Sequence, residues 1–137
     1  MGKRTTGRKL AMQIMYQTDI RKEPVTEVIE SFFKETLYVE ATIEWASRLA
    51  KGAWEHHEQS DVIISKYAID WEIDRINPID KNILRMALYE LKMKETPMRV
   101  ILDEAIELSR EYSTEESPKF LNGILGNYVK KECLPES

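Results

Sequence analysis

Residues Asp74–Lys94 read DRINPIDKNILRMALYELKMK. Asn77 is a good helix N-cap, because its side-chain oxygen can accept an orphan backbone N–H. Pro78 then falls at the first helical position, where its missing N–H and fixed φ are no handicap. Asp80 follows three residues after the cap. There its charge faces the positive helix end, and its carboxylate could bond back to the cap amide. Ile79, Ile83, Leu84, Ala87, Leu88 and Leu91 recur at spacings of three and four and predict a wide buried face. Thr96-Pro97 breaks the pattern.

The same periodicity runs outward in both directions. Leu10, Ala11, Ile14 and Met15 form one apolar stripe, with Thr5 or Thr6 placed to cap it. Tyr16 lies off that stripe, toward the side carrying Lys9. After Pro24 come Val25, Val28, Ile29, Phe32 and Phe33, and from Ala41 a long stripe includes Ala46, Ala50, Ala53, Trp54 and His57. Ser60 could cap a fresh start carrying Ile63, Ile64 and Tyr67. Ile101, Ala105, Leu108 and Tyr112 make a further face, and Ser117-Pro118 opens the last helix by cap-then-proline logic. Strand-length alternation of apolar and polar residues is missing. The expectation is an all-α fold of about seven helices in one domain spanning 1–137.

Composition agrees with one small core. The chain has 137 residues, 42% hydrophobic and 32% charged, and its ten glycines and prolines together leave little for loops. The apolar runs are too short to cross a membrane, and no charged-then-apolar start reads as a secretory signal. The lone Cys133 suits a reducing cytoplasm. Net charge is −4, but residues 1–18 carry Lys3, Arg4, Arg8 and Lys9 and no acid. The other 119 residues then hold 16 bases against 24 acids. A basic arm, 1–9, on an acidic body is an interaction-tail pattern, and nucleic acid is one such partner; a merely solvated N-terminus is the other reading.

The stretch Glu115–Gly126, EESPKFLNGILG, raises a local problem. Leu121, Ile124, Leu125 and Tyr128 share the core face, and Phe120 lies at its margin. Phe120, Gly123 and Asn127 follow i, i+3, i+7, so the aromatic ring borders nearly bare helix. A glycine inside a helix costs about 1 kcal/mol relative to alanine. Either another helix packs closely there, or a flat ligand does. In the second case Phe120 stacks on a base of single-stranded nucleic acid and Lys119 meets a phosphate.

INPIDKNILRMALYELK, VILDEAIELSREYSTEESPKFLNGILG and the basic first helix with MQIMYQ resemble the NusB family of bacterial transcription antitermination factors. The similarity covers nearly the whole chain and is strongest from Trp71 to Gly126. It implies two packed helical bundles, binding of boxA RNA in nascent transcripts, notably of ribosomal RNA operons, and partnership with NusE, a small-subunit ribosomal protein, in the RNA polymerase antitermination complex. Position by position it implies RNA contacts by Lys3, Arg4, Arg8 and Lys9 of the arm, by Tyr16, and by Lys119 and Phe120, with Glu116 on an acidic flank. It implies that Asp80 faces NusE. The arm here, KRTTGRK, is less arginine-rich than the family's; Gly7 weakens its first turn, and Asp103 stands where asparagine is common.

Other chemistries have little support. HHEQSD lacks the second histidine of H-E-x-x-H, so no metal site is expected. No nucleophile–base arrangement or phosphate loop is legible, Cys133 sits in a tail, 132–137, expected to fray, and no cofactor or enzymatic activity is implied. Asp70, Glu72 and Asp74 read as solvated charges, and Trp45, Trp54 and Trp71 as core anchors. Two alternatives stay open. One is a NusB-like RNA-recruiting module related to a ribosomal RNA cytosine methyltransferase, which lacks room here for a cofactor fold. The other is a helical or homodimeric scaffold with no RNA role.

Overall fold

The computed structural model describes residues 2–133. Seven α-helices follow in order: α1 Lys3–Arg21, α2 Val25–Phe33, α3 Glu40–Glu55, α4 His57–Tyr67, α5 Pro78–Met93, α6 Met98–Tyr112 and α7 Ser117–Tyr128. A 3₁₀ turn, Ile73–Arg75, leads into α5, and a π turn, Val129–Cys133, follows α7. Helices α1, α2 and α3 pack on one another, α4 to α7 do likewise, and α5 meets both α1 and α3. That is the expected pair of bundles, with α5 at the seam.

The core is where the periodicity put it. Ala11, Ile14 and Met15 of α1, Ile83, Leu84 and Leu88 of α5, and Leu121 and Leu125 of α7 are all buried. Helix α3 turns Ala46, Ala50 and Ala53 inward, a row of small side chains that lets it lie close against its neighbours. Gly7 serves the same packing, and this corrects its reading as a weak point. A Cβ at Gly7 would fall 2.5 Å from Cε3 of Trp45, so the indole lies directly on α1.

Several local expectations need correction. Helix α1 starts at Lys3 with Gly2 at its N-cap, so Thr5 and Thr6 are inside the helix and the basic arm is its first two turns. Ser60 is buried within α4 rather than capping it. Ser117 is the first residue of α7, with Glu116 at the N-cap. Asn77 does cap α5, accepting from the Ile79 N–H at 2.8 Å. Asp80, however, does not bond back to that cap. It accepts from Ser113 Oγ at 2.6 Å and Ser117 Oγ at 2.8 Å, tying the start of α5 to the α6–α7 turn. Trp71 is 53% exposed and no core anchor, while Trp45 and Trp54 are half-buried against the core.

Two buried arginines join the bundles. Arg8 of α1 gives Nε and Nη2 to the Glu90 carboxylate of α5 at 2.7 and 2.8 Å, and Nη1 to Glu104 of α6 at 3.0 Å. Its guanidinium lies 5.1 Å from the Trp45 ring centroid. Burial works against the charge. Hydrogen bonding to Glu90 and the charges of Glu90 and Glu104 outweigh it and hold the group above its ordinary value. Arg85 of α5 repeats the arrangement, with a fork to Asp61 of α4 at 2.8 and 2.7 Å and a third bond to Asp19 of α1 at 3.2 Å. Residue 8 thus meets 90 while 19 meets 85, so α1 and α5 run antiparallel.

The start of the C-terminal tail is held rather than frayed; its remainder, 134–137, lies outside the described residues. Glu132 accepts from the Tyr67 hydroxyl and from Lys66 Nζ at 3.2 Å. The Tyr67 hydrogen bond holds the Glu132 carboxyl below its ordinary range, ahead of the Lys66 charge. Its contribution to stability is therefore complete above that range and is lost as pH falls through the lowered value. Burial, with Cys133 alongside, pushes the Tyr128 phenol up to about 12.

Removing one partner of a buried ion pair leaves the other uncompensated, at about 3–5 kcal/mol. Arg8→Ala should lower stability by that amount in urea denaturation, through Glu90. Gly7→Ala should cost about 1–3 kcal/mol by displacing Trp45. Wild-type midpoints for both would show that neither contact holds the bundles.

Candidate nucleic-acid interface

The residues singled out in the sequence form two clusters with α6 between them. The first is the start of α1. Lys3 and Arg4 are exposed, while Lys9 is half-buried and reaches Glu111 of α6 at 3.2 Å. Thr5 Oγ1 donates to Glu104 of the same helix at 2.8 Å. Arg8 does not share this surface. It is 3% exposed, and all three of its bonds go to Glu90 and Glu104. A phosphate contact by Arg8 would require breaking the seam of the fold, so its place is structural. Tyr16 is half-buried two turns further along α1.

The second cluster is the start of α7. Glu116 and Lys119 are exposed, and Phe120 is half-buried at the rim of the core. Trp71 meets Phe120 edge to face, with centroids 6.2 Å apart and planes at 70°. Sequence reasoning missed this partner. Its one visible signal is the acidic flank of Trp71, Asp70 and Glu72, which suits an indole near solvent better than one in a core. Trp71, Arg75, Ile76, Glu116 and Phe120 line an open groove of about 410 Å³. Asp80 lies at its base, 5% exposed, with both oxygens engaged by serines. The expected partner-facing acid is thus an internal tie, and what it positions is the helix start bearing Lys119 and Phe120.

The glycine problem is resolved by the surroundings. Among the described residues, no atom beyond the helix and its immediate chain neighbours comes within 4 Å of a Cβ built at Gly123 or Gly126. Close helix packing therefore does not explain either residue. From Ser117 to Lys131 the chain carries three lysines and no acid. Phe120, Gly123 and Asn127 border this basic side, and a flat, accessible strip of helix runs beside the aromatic ring. Gly123→Ala should consequently raise stability by about 1 kcal/mol, since the added methyl meets nothing and favours helix. A lower melting temperature would mean that hidden packing exists there.

Comparison with known proteins places the whole arrangement. The NusB family profile matches residues 5–130. The transcription antitermination protein NusB of Bacillus subtilis (strain 168) is 39% identical over 126 residues, covering 91% of this chain and 93% of that protein. A solved structure of T. maritima NusB superposes with a TM-score of 0.86 at 34% identity, covering 98% and 94% of the two chains. A structure of antitermination factors NusB and NusE in complex with double-stranded RNA gives a TM-score of 0.85 at 29% identity, over 95% and 98%. Matched from the first turns of α1 to the end of α7, in sequence and in helix arrangement, the chain belongs to the NusB family.

Proposed function

We propose that this chain is a transcription antitermination protein that binds the boxA element of nascent RNA together with NusE, in the cytoplasm, within the RNA polymerase antitermination complex. Its role is binding, not catalysis. The similar NusB proteins carry transcription antitermination in their names, and one solved relative is a complex of NusB and NusE with double-stranded RNA. The observation that carries the reading is the exposed α7 strip. A half-exposed aromatic ring, an adjacent lysine and two glycines that no packing among the described residues requires suit a base stack beside a phosphate.

The RNA face then comprises Lys3, Arg4 and Lys9, Tyr16, and Lys119 with Phe120; Glu116 flanks it and discourages misplaced phosphates. Arg8 and Asp80 support it from beneath. The Lys9–Glu111 pair is half-exposed, so a phosphate can replace Glu111 at little net cost.

A titration of labelled boxA RNA, with and without NusE, tests the reading. Phe120→Ala should weaken binding by about five-fold to over a hundred-fold, the equivalent of 1–3 kcal/mol for one lost stack. The slope of log affinity against log salt should stay unchanged. Lys3→Ala should instead reduce that slope by about 0.7. Wild-type protein that ignores boxA RNA in both conditions would overturn the function. Unaltered affinity per folded molecule in Phe120→Ala, with a lowered melting temperature, would return the ring to the core.

A further inference from the structure

The structure withdraws Arg8 from the basic arm, and a second arginine stands near the position it vacates. Arg4 holds its guanidinium 5.4 Å from the Trp45 ring centroid. Arg48, exposed on α3 one turn beyond Trp45, lines the same cleft as Arg4 and Trp45. Among the described residues neither arginine is paired with a carboxylate, whereas Arg8, Arg85, Arg99 and Arg110 all are. The acids lining the cleft are Glu90 and Glu95, and Glu90 is already engaged by the Arg8 fork.

We infer that Arg4 and Arg48 form a phosphate clamp on a Trp45 floor, which takes the RNA backbone past the arm and onto α3. This rests on the RNA-binding reading above and extends it to a residue outside the arm. The physical case is one of pre-organisation. An arginine laid over an indole is already oriented, so little freedom remains to be lost when its fork meets a phosphate. Gly7 makes the floor possible, because only a residue without Cβ lets the Trp45 ring lie on α1. Both arginines line one cleft, so a phosphodiester there can accept hydrogen bonds from both guanidinium forks. The continuity with Lys3 and Arg4 selects RNA as the anion.

The test uses fluorescently labelled single-stranded boxA RNA with the full chain and NusE, titrated at several salt concentrations. Arg48→Ala should weaken binding several-fold and reduce the slope of log affinity against log salt by about 0.7. Its melting temperature should match wild type, since the side chain is exposed. Arg48→Lys should keep the slope and lose part of the affinity, because it preserves the charge without the fork. Lys34→Ala, at the C-cap of α2, removes the same charge elsewhere and should leave the slope intact. If wild type binds and Arg48→Ala binds with the same affinity and slope, the clamp is wrong while the function stands. An equal slope change in Lys34→Ala would also overturn it, by showing only a net-charge effect. Failure of wild type to bind removes both.

Discussion

The fork between Arg8 and Glu90 is the constraint on which the arrangement of the two bundles depends. A guanidinium meeting a carboxylate through two parallel hydrogen bonds has a narrow range of geometry, unlike a pair of apolar side chains, which can slide. Here the fork joins α1 to α5, with a further bond to α6 and the Trp45 ring of α3 alongside. Four helices therefore share one side chain. Arg85 does the same at the other end of the α1–α5 contact, toward Asp61 and Asp19 and beside Trp54. Two such ties along one antiparallel pair fix its register. Apolar burial supplies the driving force for the core, but it is non-directional and would tolerate a shifted register.

That fixed register is what assembles the interface. Asp80 sits three residues into α5, and its carboxylate is the point to which Ser113 and Ser117 are tied. The direction of α7 thus follows from the position of α5, which follows from the arginine forks. Lys119 and Phe120 come next in the chain and are delivered beside Trp71. On the other side of α6 the start of α1 is held by Thr5, Arg8 and Lys9 against Glu104 and Glu111. The surface proposed to face RNA is built from residues more than a hundred positions apart because each end is pinned to the same central helices.

Local stability is traded against surface at two glycine sites, in opposite ways. Gly7 accommodates Trp45, so its missing side chain is repaid by internal packing. Gly123 meets no neighbour among the described residues and weakens α7 without compensating packing there. That flat surface is the feature on which the proposed RNA contact at α7 rests.

Local residue order dictates the helices and their buried faces, because each depends on neighbours three and four residues away. The Asn77 cap, the small inward row of α3 and the apolar stripe of α5 were all legible on that ground. It also revealed the basic start of the chain and the unusual glycines beside Phe120. The fate of the polar residues was settled by contacts between helices far apart in the chain. Arg8 looked like one of four equivalent arm cations and is a buried tie; Asp80 looked like a cap or a partner contact and is the anchor of α7; Trp71 looked like a core residue and stands half in solvent. Local periodicity shows which face of a helix a side chain occupies. It does not show whether a carboxylate from a helix eighty residues away meets a charge there, and for a charged side chain that encounter determines whether it supports the fold or faces a ligand.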